Sequence, residues 1–261
     1  MAEKLNQGGD FNLLVFGDSI SVGANSSGFI GANPYLPTYP ELFGKQLASK
    51  YNVKVTLTNP SVGGKGVEWG LTEIDEVLSN QTDVDLAVIA FGMNDGRMSP
   101  AEFAEKTSAL VGRVKSKFPD AEIILVATML PNPEAKNFHL NQSKFHDALV
   151  ETCQGEGIAV ANMTGVHESL LQRKRYADMT GNNVNHPNDY MARVYAQTLF
   201  ATLQEKVETS EPNESGADSQ QDSQQDSTML DLLSGCSGTA SLAVGAAAGA
   251  AAIALKKKKE D

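Results

Sequence analysis

Strand-length apolar runs alternating with helical patterns constrain this chain more than any other feature. Residues 86–91, Leu-Ala-Val-Ile-Ala-Phe, are apolar at every position. A strand with one wet face alternates apolar with polar; a central parallel strand covered on both faces does not. Residues 11–16 form a second run, apolar at every position but Asn12, and 122–128 and the short 158–162 are further strands. Residues 53–58 alternate Val, Val, Leu with Lys and Thr, as expected of a strand with one partly exposed face. Between them, helical patterns cover 39–50, 65–78, 99–117, 140–154, 166–173 and 187–207. The start Ser99-Pro100-Ala101-Glu102 supplies an N-cap hydroxyl, a proline in the first turn and a capping glutamate. Five repeats of strand then helix predict an α/β fold with a five-stranded parallel sheet covered on both faces.

Composition narrows the partners. The 261-residue chain has a formal net charge of −11, which disfavours a nucleic-acid partner, because phosphate contacts need basic patches. Its two cysteines, Cys153 and Cys236, form no metal-binding spacing, and Cys153 falls in a helical pattern as a packed thiol. The polar start, residues 1–10, is read as disordered. It has no apolar core of signal-peptide length, so the chain as written would not be exported.

In parallel sheets, ligands bind outside the carboxyl ends of the strands. Ser19 follows the first strand, in Phe16-Gly17-Asp18-Ser19-Ile20-Ser21. Gly63-Gly64 follows the second, Gly92-Met93-Asn94-Asp95 the third, and His186 the fifth, in the loop entering the last helix. A serine at a strand end projects its hydroxyl from the sheet edge, beside free backbone N–H groups. A nucleophile, oxyanion donors and a general base therefore converge, which are the parts of an acyl-transfer site. The plainer readings are a solvated turn at Ser19, an Asx-turn at Asn94 and a surface histidine at His186. His139, His146 and His167 are read as surface or structural.

The blocks Gly17-Asp18-Ser19, Gly64, Gly92-Met93-Asn94-Asp95 and Asn185-His186-Pro187 resemble, in order, those of the SGNH (GDSL-type) hydrolases, over residues 11–207. The resemblance implies a flavodoxin-like three-layer α/β/α sandwich and a serine esterase, with no cofactor or metal. It implies Ser19 as nucleophile and His186 as general base. The oxyanion hole would be the Ser19 N–H, the Gly64 N–H and the Asn94 amide; counting from Asn59 favours Gly64 over Gly63. One block departs from the pattern. The family usually has Asp three residues before the histidine, and Asn183 stands there. The expectation is a Ser–His dyad oriented by an oxygen around Asn183, with Asp178 as the nearest substitute carboxylate.

The implied substrate is a small-molecule or polysaccharide ester, with a short acyl group such as acetyl on a carbohydrate favoured. The competing readings are a lysophospholipase or thioesterase, and a catalytically weak binding module on the same fold. The long loop 23–38 carries Phe29, Tyr35 and Leu36, and Trp69 lies beyond the glycine pair; these are candidates to line a pocket. After Val207, residues 208–228 are rich in Ser, Gln, Asp and Glu and read as an acidic disordered linker. The segment 229–261 contains an uncharged stretch from Thr239 to Leu255, about 26 Å as a helix, followed by Lys256-Lys257-Lys258-Lys259. It reads as a membrane anchor holding the enzyme outside a bacterial cell if an N-terminal signal is missing from the chain as written; otherwise the protein would be cytoplasmic.

Overall fold

The computed structural model describes residues 1–210, with side chains to Val207. Strands β1 (Gly9–Gly17), β2 (Val53–Thr58), β3 (Leu86–Ala90), β4 (Glu122–Ala127) and β5 (Ala159–Asn162) form one sheet in the order β2-β1-β3-β4-β5. Every pairing is parallel. This is the doubly wound flavodoxin-like order, with its switch point between β1 and β3. Beyond that point lie the ends of the two strands that carry Ser19 and Asn94.

Side chains alternate along each strand, so the sheet separates two apolar cores. Phe11, Leu13, Val15, Leu86, Val88, Ile124 and Val126 face one side. There they meet α3 (Tyr39–Tyr51), α7 (Met163–Leu171) and α8 (Asp189–Ser210). Leu14, Phe16, Ala87, Ile89, Ile123 and Leu125 face the other, against α4 (Val67–Ser79), α5 (Pro100–Lys117) and α6 (Phe145–Thr152). Each large side chain fully withdrawn from water contributes about 1.5–3 kcal/mol. Beneath Ser19, β1 and β3 approach so closely that a Cβ on Gly17 would lie 2.3 Å from the Ala90 carbonyl oxygen.

Three stretches differ from the sequence reading. The polar start is not disordered: α1 (Ala2–Gln7) buries Leu5 completely, and β1 begins at Gly9. The pattern at 140–154 is not one helix. Gln142 is buried and donates to the carbonyls of Met93 and Phe138, which holds a 3₁₀ turn at Gln142–Lys144 before α6. The last helix starts at Asp189, after Pro187, because Asn188 Oδ1 accepts the N–H groups of Tyr190 and Met191.

Helix α8 runs past Val207 to Ser210. The rest of the acidic linker, and the segment 229–261 with its candidate anchor, lie outside the described residues. Among the described residues no helix is long and apolar enough to cross a membrane.

Candidate active site

The turn after β1 is short because Asp18 ends the strand and caps the next helical turn. Its Oδ1 accepts the Ile20 N–H at 2.9 Å, opening the one-turn helix α2 (Ser19–Val22). Gly23, at φ 90°, closes that turn in the left-handed region. Asp18 is thus folded inward and does not present its carboxylate to the site. Burial pushes it up to about 7, and burial likewise raises Asp95 to about 6. Asp95 Oδ1 accepts the Val67 N–H at 2.9 Å, so it holds the start of α4 beneath the glycine loop. Ser19 is only 7 % exposed, at the floor of the site.

His186 comes from a turn organised by Asn182. The Asn182 Oδ1 accepts the backbone N–H groups of Val184, Asn185 and His186 at 2.9–3.0 Å. The Gly181 N–H and the Thr180 hydroxyl both donate to the His186 carbonyl. The loop after β4 braces the turn from outside: the Asn132 amide donates to the Asn183 carbonyl, and its N–H to the Val184 carbonyl. This places His186 Nε2 2.9 Å from Ser19 Oγ, across 167 positions of chain. Burial holds the imidazole below the ordinary histidine range. That favours the neutral ring a base must offer.

The side of the site expected to hold an oxyanion is built by the segment after β2. The Val62 N–H donates to the Gly17 carbonyl, which draws the glycine pair against β1. A Cβ on Gly63 would lie 3.6 Å from the Ser19 Cβ; Gly64, at φ 76°, borders open space. Asn94 follows β3, and its Nδ2 donates to the Lys65 carbonyl at 2.9 Å. That bond ties the amide to the glycine loop and leaves a second N–H for a ligand.

Ser19, His186, Asn94 and the glycine pair therefore meet at one sheet edge. Asn183 and Asp178 do not join them. Asn183 sits at φ 55°, exposed, and its contact with the turn is through its backbone. Asp178 forms an ion pair with Arg175 at 2.8 Å on the surface, which holds its carboxyl below the ordinary value. At His186 Nδ1 stands a residue that the sequence reading did not single out. The Asn25 Oδ1 lies 2.6 Å away, from the loop just after α2. No local spacing marks it, since 161 positions separate it from the histidine.

Other groups have structural settings. His167 is fully buried; its Nδ1 accepts the Leu130 N–H, and burial pushes it down to about 4. Cys153 is buried, and its thiol is raised to about 11 by the same cause. Trp69 packs against Phe16 and Phe91, with Lys65 Nζ over its ring. Phe29 and Tyr35 are more than half exposed, on the loop that carries Asn25. Among the described residues no cluster of His, Cys, Asp or Glu is disposed to hold a metal ion.

Comparison with known proteins adds a family and a fold. The GDSL-like lipase/acylhydrolase family matches residues 15–194. No match is found among curated proteins. Among solved structures, a two-domain esterase active on acetylated mannans, co-crystallised with mannopentaose, superposes with a TM-score of 0.63 at 22% identity, covering 81% of this chain and 53% of its own. This chain thus spans about half the length of that esterase. TesA superposes with a TM-score of 0.58 at 20% identity, over 75% of this chain and 99% of its own. A catalytic mutant of the acetylxylan esterase Axe2 from Geobacillus stearothermophilus gives 0.59 at 16% identity, over 77% and 95%.

Proposed function

We propose that this chain, which belongs to the GDSL-like lipase/acylhydrolase family, is a carboxylic ester hydrolase that removes short acyl groups, acetyl first among them, from a carbohydrate or small ester. The observation that carries the reading is the 2.9 Å approach of His186 Nε2 to Ser19 Oγ. As Oγ attacks the ester carbonyl, Nε2 takes its proton. The carbonyl oxygen becomes an oxyanion, met by the Ser19 N–H, the Gly64 N–H and the free N–H of Asn94. The imidazolium then returns the proton to the leaving alkoxide. Water, deprotonated by the same nitrogen, hydrolyses the acyl-enzyme.

The acetyl preference is supported by two relatives that act on acetylated mannan and acetylated xylan. It is supported also by the exposed faces of Phe29 and Tyr35 on the loop following the nucleophile, available to a sugar ring. The test is a panel of p-nitrophenyl esters of increasing acyl length and acetylated oligosaccharides, with Ser19→Ala as control. Acetyl esters should be turned over fastest. Ser19→Ala should lose essentially all turnover, together with labelling by a fluorophosphonate, while keeping the wild-type Tm. Preference for long acyl chains would favour the lipolytic reading. Unchanged turnover in Ser19→Ala refutes the assignment of the nucleophile.

A further inference from the structure

We propose that Asn25 is the positioning residue of His186: its side-chain oxygen accepts the Nδ1–H and selects the ring tautomer whose Nε2 can receive the Ser19 proton. The inference rests on the dyad reading above and supplies the group that holds the dyad in place.

Two amides converge on Nδ1, and they ask opposite things of it. Asn25 Oδ1 stands at 2.6 Å and can only accept. Asn182 Nδ2 stands at 3.1 Å and can only donate. Asn182 cannot turn over, because its oxygen already takes three backbone N–H groups and its nitrogen donates to Asn185 Oδ1. Left alone with Asn182, the neutral ring would carry its proton on Nε2 and use Nδ1 as an acceptor. Such a ring offers no lone pair to Ser19. The shorter contact to Asn25 opposes this and keeps the proton on Nδ1.

The loop holding Asn25 is fixed on both sides. Upstream, the Ser26 N–H and hydroxyl both donate to the Gly23 carbonyl. Downstream, the Ser27 N–H donates to Asp189 Oδ1 at the head of α8. Asn25 itself sits at φ 69°, a left-handed conformation that asparagine tolerates better than most residues. The His186 turn leaves room for it: a Cβ on Gly181 would lie 2.5 Å from the Asn25 Cβ. Among the described residues, the groups hydrogen-bonded to the ring are Ser19, Asn25 and Asn182, none of them charged, and the carboxylates of Asp18, Asp189 and Asp178 accept from the Ile20 N–H, the Ser27 N–H and Arg175. Asn25 therefore supplies the geometry of a triad acid without its charge.

The test is a pH titration of the full chain with ¹⁵N-labelled histidine, read by NMR, beside pH profiles of kcat/KM on p-nitrophenyl acetate. Wild type should show a neutral His186 protonated on Nδ1. Asn25→Gly keeps the left-handed backbone without strain and removes only the side chain. It should move the proton to Nε2 and lower kcat by about 10- to 10⁴-fold, the upper figure being the cost of the wrong tautomer in a serine triad, with little change in KM. Asn25→Asp should keep the proton on Nδ1, raise the pKa of His186 and shift the acid limb of kcat/KM upward. The proposal is overturned if the tautomer is the same in wild type and Asn25→Gly, or if Asn25→Asp leaves the pKa of His186 unmoved. The ring spectra decide this with or without turnover. An inert wild type showing the expected tautomers would therefore sink the esterase reading alone.

Discussion

Replacing Asn94 with alanine separates transition-state stabilisation from folding. The side-chain nitrogen carries two N–H bonds, and one is committed to the Lys65 carbonyl at 2.9 Å. The other is the proposed oxyanion donor. Losing such a donor costs about 2.7–4 kcal/mol in the transition state, or about 10²–10³ in kcat. KM should change far less, because the ester carbonyl gains its charge only as the tetrahedral intermediate forms. The stability effect is smaller: the bond to Lys65 is exposed and worth about 0.5–1.5 kcal/mol. For a domain of this size that lowers Tm by about 1–6 °C. Initial rates on p-nitrophenyl acetate, taken well below the Tm of both proteins, give kcat and KM separately. Asn94→Asp, which keeps the shape but exchanges the donor for a carboxylate, should lose at least as much kcat. A loss confined to KM, or one that tracks the fraction unfolded, refutes the oxyanion role.

The carboxylates give two further expected outcomes. Asp178→Asn should leave kcat within about twofold of wild type, because its carboxyl is held by Arg175 on the surface; a loss near the 10⁴ of a triad acid would make Asp178 the missing partner. Asp18 is wholly buried and raised from 3.8 to about 7, so the folded state binds its proton more tightly than the unfolded state does. Stability from this group is present at low pH and falls as pH rises from about 4 to 7. The stability difference between Asp18→Asn and wild type should therefore move in favour of the variant by up to about 4 kcal/mol across that window. Urea midpoints at pH 4.5 and pH 8 measure it, and a difference independent of pH refutes the buried-charge argument.

Much of the frame was legible because it is written locally. The apolar run behind β3, the alternation in β2 and the Ser99 cap of α5 are short-range patterns, and each became the expected element. Ser19, Asn94 and His186 could be named for the same reason: each stands in a short block just after a strand or just before a helix. Elements shaped by a distant partner were not legible. The start of the chain is polar on paper, yet α1 forms because Leu5 reaches the core. The break before α6 depends on Gln142 finding the carbonyl of Met93.

The group at His186 Nδ1 is the sharpest case. Counting back three positions from the histidine led to Asn183, but the turn engages that residue through its backbone and leaves the imidazole Nδ1 open to a different loop. What reaches Nδ1 depends on Gly181 leaving room, on Asp189 holding Ser27, and on Gly23 ending α2 where it does. Sequence alone determined which residues stand at the ends of the strands, since strand ends are set by local pattern. Only the tertiary structure decided which side chain stands at His186 Nδ1, because that contact joins two loops 161 positions apart through packing that no local pattern encodes.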